Sequence, residues 1–309
     1  MSTKIQWTDE TWNPVTGCEP TSEGCQNCYA QRMARRLNGR FGYPQGSGFD
    51  VTPHPDKLEV PLRWKKPRKI FVCSMGDLFH ADISNMFIAS VFGVMAQCPQ
   101  HIFQVLTKRP ERMLEWFKWV EKREGDGKRI FSADTREWRI HQLFLHHVSK
   151  HVSKYIRHPN ARWPLPNVWL GVTAENQERA DERISSLIHA PAAIRFVSCE
   201  PLLGPIDFSR LPYGDRLNAI LIDVLRRKKG YVEDSLPFTV GAPTGIDWVI
   251  CGGETGPKPR GMDGWWFVWA RLIRDQCFNA GVPFFFKQSP GKVKTREDLL
   301  IREFPVVKP

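Results

Sequence analysis

Cys18, Cys25 and Cys28 lie within eleven residues of one another, in the run Cys-Glu-Pro-Thr-Ser-Glu-Gly-Cys-Gln-Asn-Cys-Tyr-Ala. Thiols this close in a polar loop are metal ligands by type. A structural zinc site closes with four protein ligands, and an electron-transfer cubane is held by four thiolates. Three thiolates on a cube of four irons leave one iron open to a small molecule. The count therefore points to a [4Fe–4S] cluster that does chemistry. Pro20, Ser22 and Gly24 make the segment between the first two cysteines turn-rich. Gly24 lets the backbone come close to a cluster. The stretch Tyr29 to Leu37 is helical in character, which puts Cys28 near a helix N-terminus, where the macrodipole favours a thiolate. Zinc is the competing reading. It needs a fourth ligand, for which His54, His80 and Cys73 are candidates, all distant in sequence.

A repeated unit must position this loop. A short apolar run ends in a polar or glycine-containing turn, and a helical stretch follows. The runs are Ile70–Cys73, Ile102–Leu106, Val168–Val172, Ile194–Val197, Trp248–Cys251 and Val282–Phe286. Helices are expected from Ser84 to Gln97 and from about Glu111, with Pro110 at a first helical position. Continuous apolar strands separated by helices indicate a parallel sheet covered on both faces. Six such strands, with a further one expected at Lys4–Trp7, give an α/β fold. Its parallel β/α repeats form a complete or partial TIM-like barrel, with a doubly wound sheet as the alternative. In both, ligands bind at the carboxyl edge of the strands.

The chain reads as a single β/α domain over residues 1–309 with two insertions. Residues 121–165 carry five of the nine histidines (His141, His146, His147, His151 and His158) and ten Lys/Arg against five Asp/Glu. This reads as a basic, solvated helical insertion. Residues 205–246 contain Arg226-Arg227-Lys228-Lys229 with several Pro and Gly. The tail after Pro290 is expected to be a loop with a short peripheral segment.

A formal charge of +11 makes a polyanion the first candidate partner. The arginines from Arg32 to Arg40, and Arg63–Lys69 with Trp64, favour a phosphate-bearing substrate, a nucleotide or nucleic acid. The polar start has no signal-peptide pattern, and no apolar run reaches the roughly 18 residues of a membrane span. Eight cysteines in 309 residues are not a secreted disulfide framework. A cytoplasmic, reducing location follows, with no membrane partner.

The segments Trp7-Thr8-Asp9, Thr11–Cys18 and Gly24–Ala30 resemble a three-cysteine protein family first catalogued from bacteriophages. The likeness continues through Ser74–His80, Leu106–Met113, Asn167–Val172, Glu200–Pro205, Gly252–Pro257 and Gly281–Gln288. That family is regarded as similar to radical S-adenosylmethionine enzymes, whose usual spacing is C-x3-C-x2-C with an aromatic just before the last cysteine. Here the first gap is six residues, and the aromatic, Tyr29, follows the last cysteine.

The resemblance implies an iron–sulfur enzyme whose open iron chelates S-adenosylmethionine. One electron then cleaves the cofactor to methionine and a deoxyadenosyl radical, which abstracts hydrogen from substrate. It also implies an electron donor, with a partner protein as another candidate substrate. Gly76 and Asp77 would receive the methionine ammonium; Asp77 as a turn or cap carboxylate is the plainer reading. Lys108 and Arg109 would hold the methionine carboxylate or a substrate phosphate. Glu175, Glu200 and Glu254 would converge on the ribose or the substrate, and Gly252-Gly253 would let the chain approach the adenosine. Cys73, Cys199 and Cys251, also at strand ends, read as small buried residues. The alternative function is a zinc-stabilised nucleic-acid-binding protein without redox chemistry.

Overall fold

The computed structural model describes residues 3–40, 43, 45–46, 48–122, 164–213, 220–226, 245–262 and 264–306. Most of 121–165, and residues 214–219 and 227–244 of the second insertion, lie outside the described residues; so do the five histidines and Arg227-Lys228-Lys229. One parallel sheet contains seven strands. They are β1 (Glu10–Trp12), β2 (Lys69–Val72), β3 (Ile102–Thr107), β4 (Val168–Thr173), β5 (Ile194–Cys199), β6 (Trp248–Gly252) and β7 (Phe284–Gln288). Their order in the sheet is their order in the chain. A doubly wound sheet reverses its order at a switch point. This sheet does not, so its connectivity is compatible with a partial β/α barrel.

The first strand differs from the expectation. Glu10-Thr11-Trp12 pairs with Ile70-Phe71-Val72, whereas Lys4–Trp7 is not a strand. Trp7 is still core: its ring packs on Phe71 at 4.6 Å between centroids, and its carbonyl accepts from Gln104 Nε2 at 3.2 Å. An apolar residue placed by a turn mimicked a strand residue.

The chain divides into two compact units, Met1–Thr21 with Cys28–Leu170 and Pro191–Ala193, and Ser22–Asn27 with Gly171–Ala190 and Ile194–Pro309. In the first, helix α1 (Tyr29–Leu37) follows the cysteine loop. It is joined by α2 (Asn85–Ala96) and α3 (Pro110–Lys122). Ser84 caps α2 by accepting from Phe87 N at 3.2 Å, and nine of its twelve residues are buried, as an apolar-all-round helix requires. At its other end Asn167 Nδ2 donates to the Met95 and Cys98 carbonyls at 2.9 and 3.1 Å. Trp116 of α3 stacks on Phe92 of α2 with centroids 4.5 Å apart. The cation-rich stretch Arg63–Lys69 precedes β2. Arg68 lies over the Trp64 ring at 5.3 Å, and its carbonyl receives the amide of Ile102 at the start of β3. That stretch therefore sits at the amino edge of these strands.

In the second unit, β5 and β6 are buried along their whole lengths. Helix α4 (Gln177–Leu187) is capped by Asn176, whose side chain accepts from Arg179 N at 3.0 Å. Helix α5 (Trp265–Ala280) ends at Gly281 in the left-handed region, φ 65°, the usual glycine stop. The described part of the second insertion holds an antiparallel pair, Leu211–Tyr213 with Ile220–Ile222. In the tail a short peripheral segment lies against β7: Arg302 bridges antiparallel to Phe285, and the Phe286 amide donates to the Ile301 carbonyl at 2.8 Å. No described helix is long and apolar enough to cross a membrane.

A Cβ on Gly171 would fall 2.5 Å from the Phe196 ring. Gly171→Ala is expected to destabilise by about 1–3 kcal/mol, the cost of an overpacked core, read as a lower denaturant midpoint at unchanged slope.

Candidate functional site

In the first unit the carboxyl ends of β2 and β3 carry Asp77, Thr107, Lys108 and Arg109. The Asp77 carboxylate is buried and accepts on both oxygens. Thr107 Oγ1 donates to them at 2.8 and 3.0 Å, Phe79 N at 3.0 Å and Lys108 N at 3.1 Å. Arg109 Nη1 completes the set at 3.3 Å. The same Nη1 approaches Cys18 Sγ at 3.2 Å, and Nη2 donates to the Glu19 carbonyl at 3.0 Å. Arg109, expected on a carboxylate or phosphate ligand, thus rests on a loop sulfur. Burial opposes its charge, but Asp77 and Cys18 raise its pKa, so it is a fixed cation beside that sulfur. Lys108 contributes its backbone amide to this set. Gly76 approaches Gly17 so closely that a Cβ would sit 2.9 Å from the Gly17 carbonyl.

A cleft of about 400 Å³ opens beside Cys18, with Gln31, Phe49 and Val51 in its walls and the exposed carboxylates of Glu19, Asp50 and Asp82 at its rim. The volume lies in the range of small-molecule sites, and the rim suits a cationic ligand. Cys28 is the N-cap residue of α1, as the sequence implied. The zinc candidates are otherwise engaged. His54 Nε2 meets Thr16 Oγ1 at 2.7 Å. His80 lies 3.9 Å from Glu19 and 3.6 Å from Asp82. Burial pushes the Cys73 thiol up. Among the described residues no three His, Cys, Asp or Glu side chains gather as a metal-ligating group.

In the second unit the segment Ser22–Asn27, which carries Cys25, is tied to strand-end residues. Ser22 Oγ donates to Glu175 Oε1 at 2.9 Å and lies 4.0 Å from Cys25 Sγ. Glu23 receives Asn176 Nδ2 at 2.6 Å and Arg179 Nε at 3.3 Å. Asn27 Nδ2 donates to Glu254 Oε2 at 2.8 Å. Arg260 grips Glu254 at 2.6 Å and reaches the Glu23 carbonyl at 2.9 Å. Gly24 has to be glycine here, because a Cβ would lie 2.2 Å from Glu175 Oε1.

The three glutamates after β4, β5 and β6 do not converge on an open space. Fully buried Glu175 pairs with Arg183 at 3.0 Å, Glu200 with Lys287 at 2.5 Å, and Glu254 with Arg260. Glu175 and Glu254 meet in holding the cysteine segment; Glu200 belongs to a separate pair. Gly252 makes room for the Glu200 side chain and Gly253 for Pro290. Arg260, Arg183 and Asn27 were not singled out from the sequence, and Ser22 only as a turn residue. The available signal was the buried carboxylates themselves, each of which demanded a cation.

The eight cysteines fall into two classes. Cys73, Cys98, Cys199, Cys251 and Cys277 are buried, and Cys18, Cys25 and Cys28 are half-buried. Burial raises the five core thiols, Cys98 to about 12 and Cys199 and Cys251 well above the usual thiol range. The three loop cysteines stand outside the core. Their thiols are accessible, but among the described residues they do not gather into a metal-ligating group.

Strand order and strand-end polar clusters define a β/α protein with ion-paired carboxylates at the carboxyl edge of each unit. The chain belongs to the family described as protein of unknown function DUF5131, which it matches over residues 2–300. No curated protein and no solved structure matches it.

Native-state alkylation with iodoacetamide is expected to label Cys18, Cys25 and Cys28, and the other five only after unfolding; peptide mass spectrometry reads this directly. A second expectation concerns acid. Burial raises the Glu254 pKa, but hydrogen bonds from Arg260 and Asn27 outweigh it and hold the group at about 2, below its ordinary 4.5. A depressed carboxylate stabilises fully above its unfolded value and loses that contribution as pH falls through its folded value. Between pH 4.5 and 2 the parent should lose on the order of 3 kcal/mol more than Glu254→Gln, measured by denaturant titration at each pH.

Proposed function

We propose that the protein is an iron–sulfur enzyme of the radical S-adenosylmethionine type, with Cys18, Cys25 and Cys28 as the cluster ligands. One observation carries the reading: of eight cysteines, only the three of the C-x6-C-x2-C loop stand outside the core. Three thiolate donors leave a cubane one iron short of a protein ligand. When bound, such a cluster supplies the electron for reductive cleavage of S-adenosylmethionine. The resemblance to the bacteriophage three-cysteine family supports the same reading.

The chain's own residues then have definite work. Arg109 fixes Cys18 and offsets negative charge on its sulfur. Asp77 holds Arg109 in place and keeps it charged. Glu175, Glu254 and Arg260 fix the segment that bears Cys25. The acid-rimmed cleft beside Cys18 is the place for a ligand with ammonium and sulfonium charges. Gly76, Lys108, Glu200, Gly252 and Gly253 shape or support these groups; direct contact with the cofactor is assigned to none of them.

Anaerobic reconstitution with iron and sulfide is expected to give a brown protein with about four irons per chain. With dithionite it should release 5′-deoxyadenosine from S-adenosylmethionine, and Cys25→Ala should abolish both properties. Stoichiometric zinc in a colourless protein that releases no deoxyadenosine would overturn the assignment and favour a zinc-stabilised nucleic-acid-binding protein.

A further inference from the structure

Helix α1 starts at the last loop cysteine and contains no acidic residue. Its one side packs inward: Ala30 and Ala34 are buried with Tyr43 and Met75, and Leu37 and Phe49 pack against them. The other side carries Tyr29, Arg32, Met33, Arg35 and Arg36, with Arg40 just beyond the end. At 100° per residue the first five of these fall on one broad face, and Arg40 follows the helix end at Leu37. Arg35, Arg36 and Arg40 are exposed, and no carboxylate among the described residues pairs with their guanidinium groups. Tyr29 is 46% exposed, yet its ring is held, because its hydroxyl donates to the Ser74 carbonyl at 2.5 Å.

We propose that this face of α1 binds a nucleic-acid strand, with Arg35, Arg36 and Arg40 on successive phosphates and an unpaired base stacked on Tyr29. The proposal rests on the enzyme reading only for the consequence that the bound strand is the substrate. Nine residues of helix span about 13 Å, enough for roughly four phosphates at about 3.4 Å each along a stacked strand. Three exposed cations within six residues, Arg35, Arg36 and Arg40, suit a polyanion. A rigid, exposed aromatic among arginines is how single strands are read without sequence preference. An anionic membrane is the poorer fit, since a surface-seeking helix needs its apolar side free and that side is already buried. The other cationic stretch, Lys65 and Lys66, lies at the amino edge of the first unit's strands and serves as a built-in control.

The test is fluorescence anisotropy of the full chain, before any iron or sulfide is added, with a labelled twelve-nucleotide single strand at several salt concentrations. The parent should bind with a steep salt dependence. The triple variant Arg35→Ala/Arg36→Ala/Arg40→Ala, with unchanged circular dichroism, should bind at least tenfold more weakly at about 0.1 M salt. The slope of log K against log salt should fall by about 2, as loss of three phosphate contacts requires. Tyr29→Ala should weaken binding about fivefold or more at unchanged slope, and Lys65→Ala/Lys66→Ala should bind like the parent. No binding by the parent at 50 mM salt, an unchanged slope in the triple variant, or capture by phosphatidylserine vesicles in place of the strand would each overturn the proposal. Because no cluster is present in the measurement, binding through these arginines by a chain that later takes up no iron would sustain this inference and sink the enzyme reading. Loss of binding alongside normal iron uptake would do the reverse.

Discussion

A carboxylate removed from water must be met by a cation or several donors at contact distance, or it costs several kcal/mol. Asp77, Glu175 and Glu254 are all buried at strand ends, and each has met that requirement. Arg109, Arg183 and Arg260 are the answers. The constraint reaches further than the pairs themselves. Arg109 is aimed so that it also touches Cys18, and Arg260 so that it also touches the Glu23 carbonyl. In each unit the charge-pairing that makes the strand ends tolerable also fixes part of the cysteine loop. The residues that looked like free ligands are the braces of the loop that would hold one.

Much of the fold was legible because parallel strands buried on both faces leave continuous apolar runs. Val168–Val172 and Trp248–Cys251 could hardly be anything else, and Ser84 and Pro110 marked their helix starts through capping chemistry. Glu10-Thr11-Trp12 escaped because a three-residue strand with a polar start leaves no run, while Trp7 supplied a false one. The strand-end residues were found correctly as positions. Their partners were not, because a pairing such as Arg109 with Cys18 spans 91 residues and depends on tertiary placement. Sequence spacing exposes what a residue is and which element it ends; it does not reveal which distant cation will reach it.

The cysteines show the same division. Eight look alike in a composition table, and the loop spacing alone separated three of them. Burial gives that separation a chemical meaning, since a thiol in an apolar core stays protonated and inert. The cationic stretches separate likewise. Arg63–Lys69 and the α1 arginines read as one class in sequence, but the first lies at the amino edge of its strands and cannot serve a ligand at the carboxyl edge.

The strip Ile301–Glu303 that lies against β7 has a consequence for handling the protein. An uncovered final strand of Phe284-Phe285-Phe286 would present unpaired amides and carbonyls beside a run of aromatic side chains, a template for association with another chain. The strip occupies that edge from within the same chain, with backbone bonds at Phe284 and Phe286. A version of the protein cut back to residue 295 would keep every loop cysteine and every strand-end carboxylate, and would be lost to aggregation all the same.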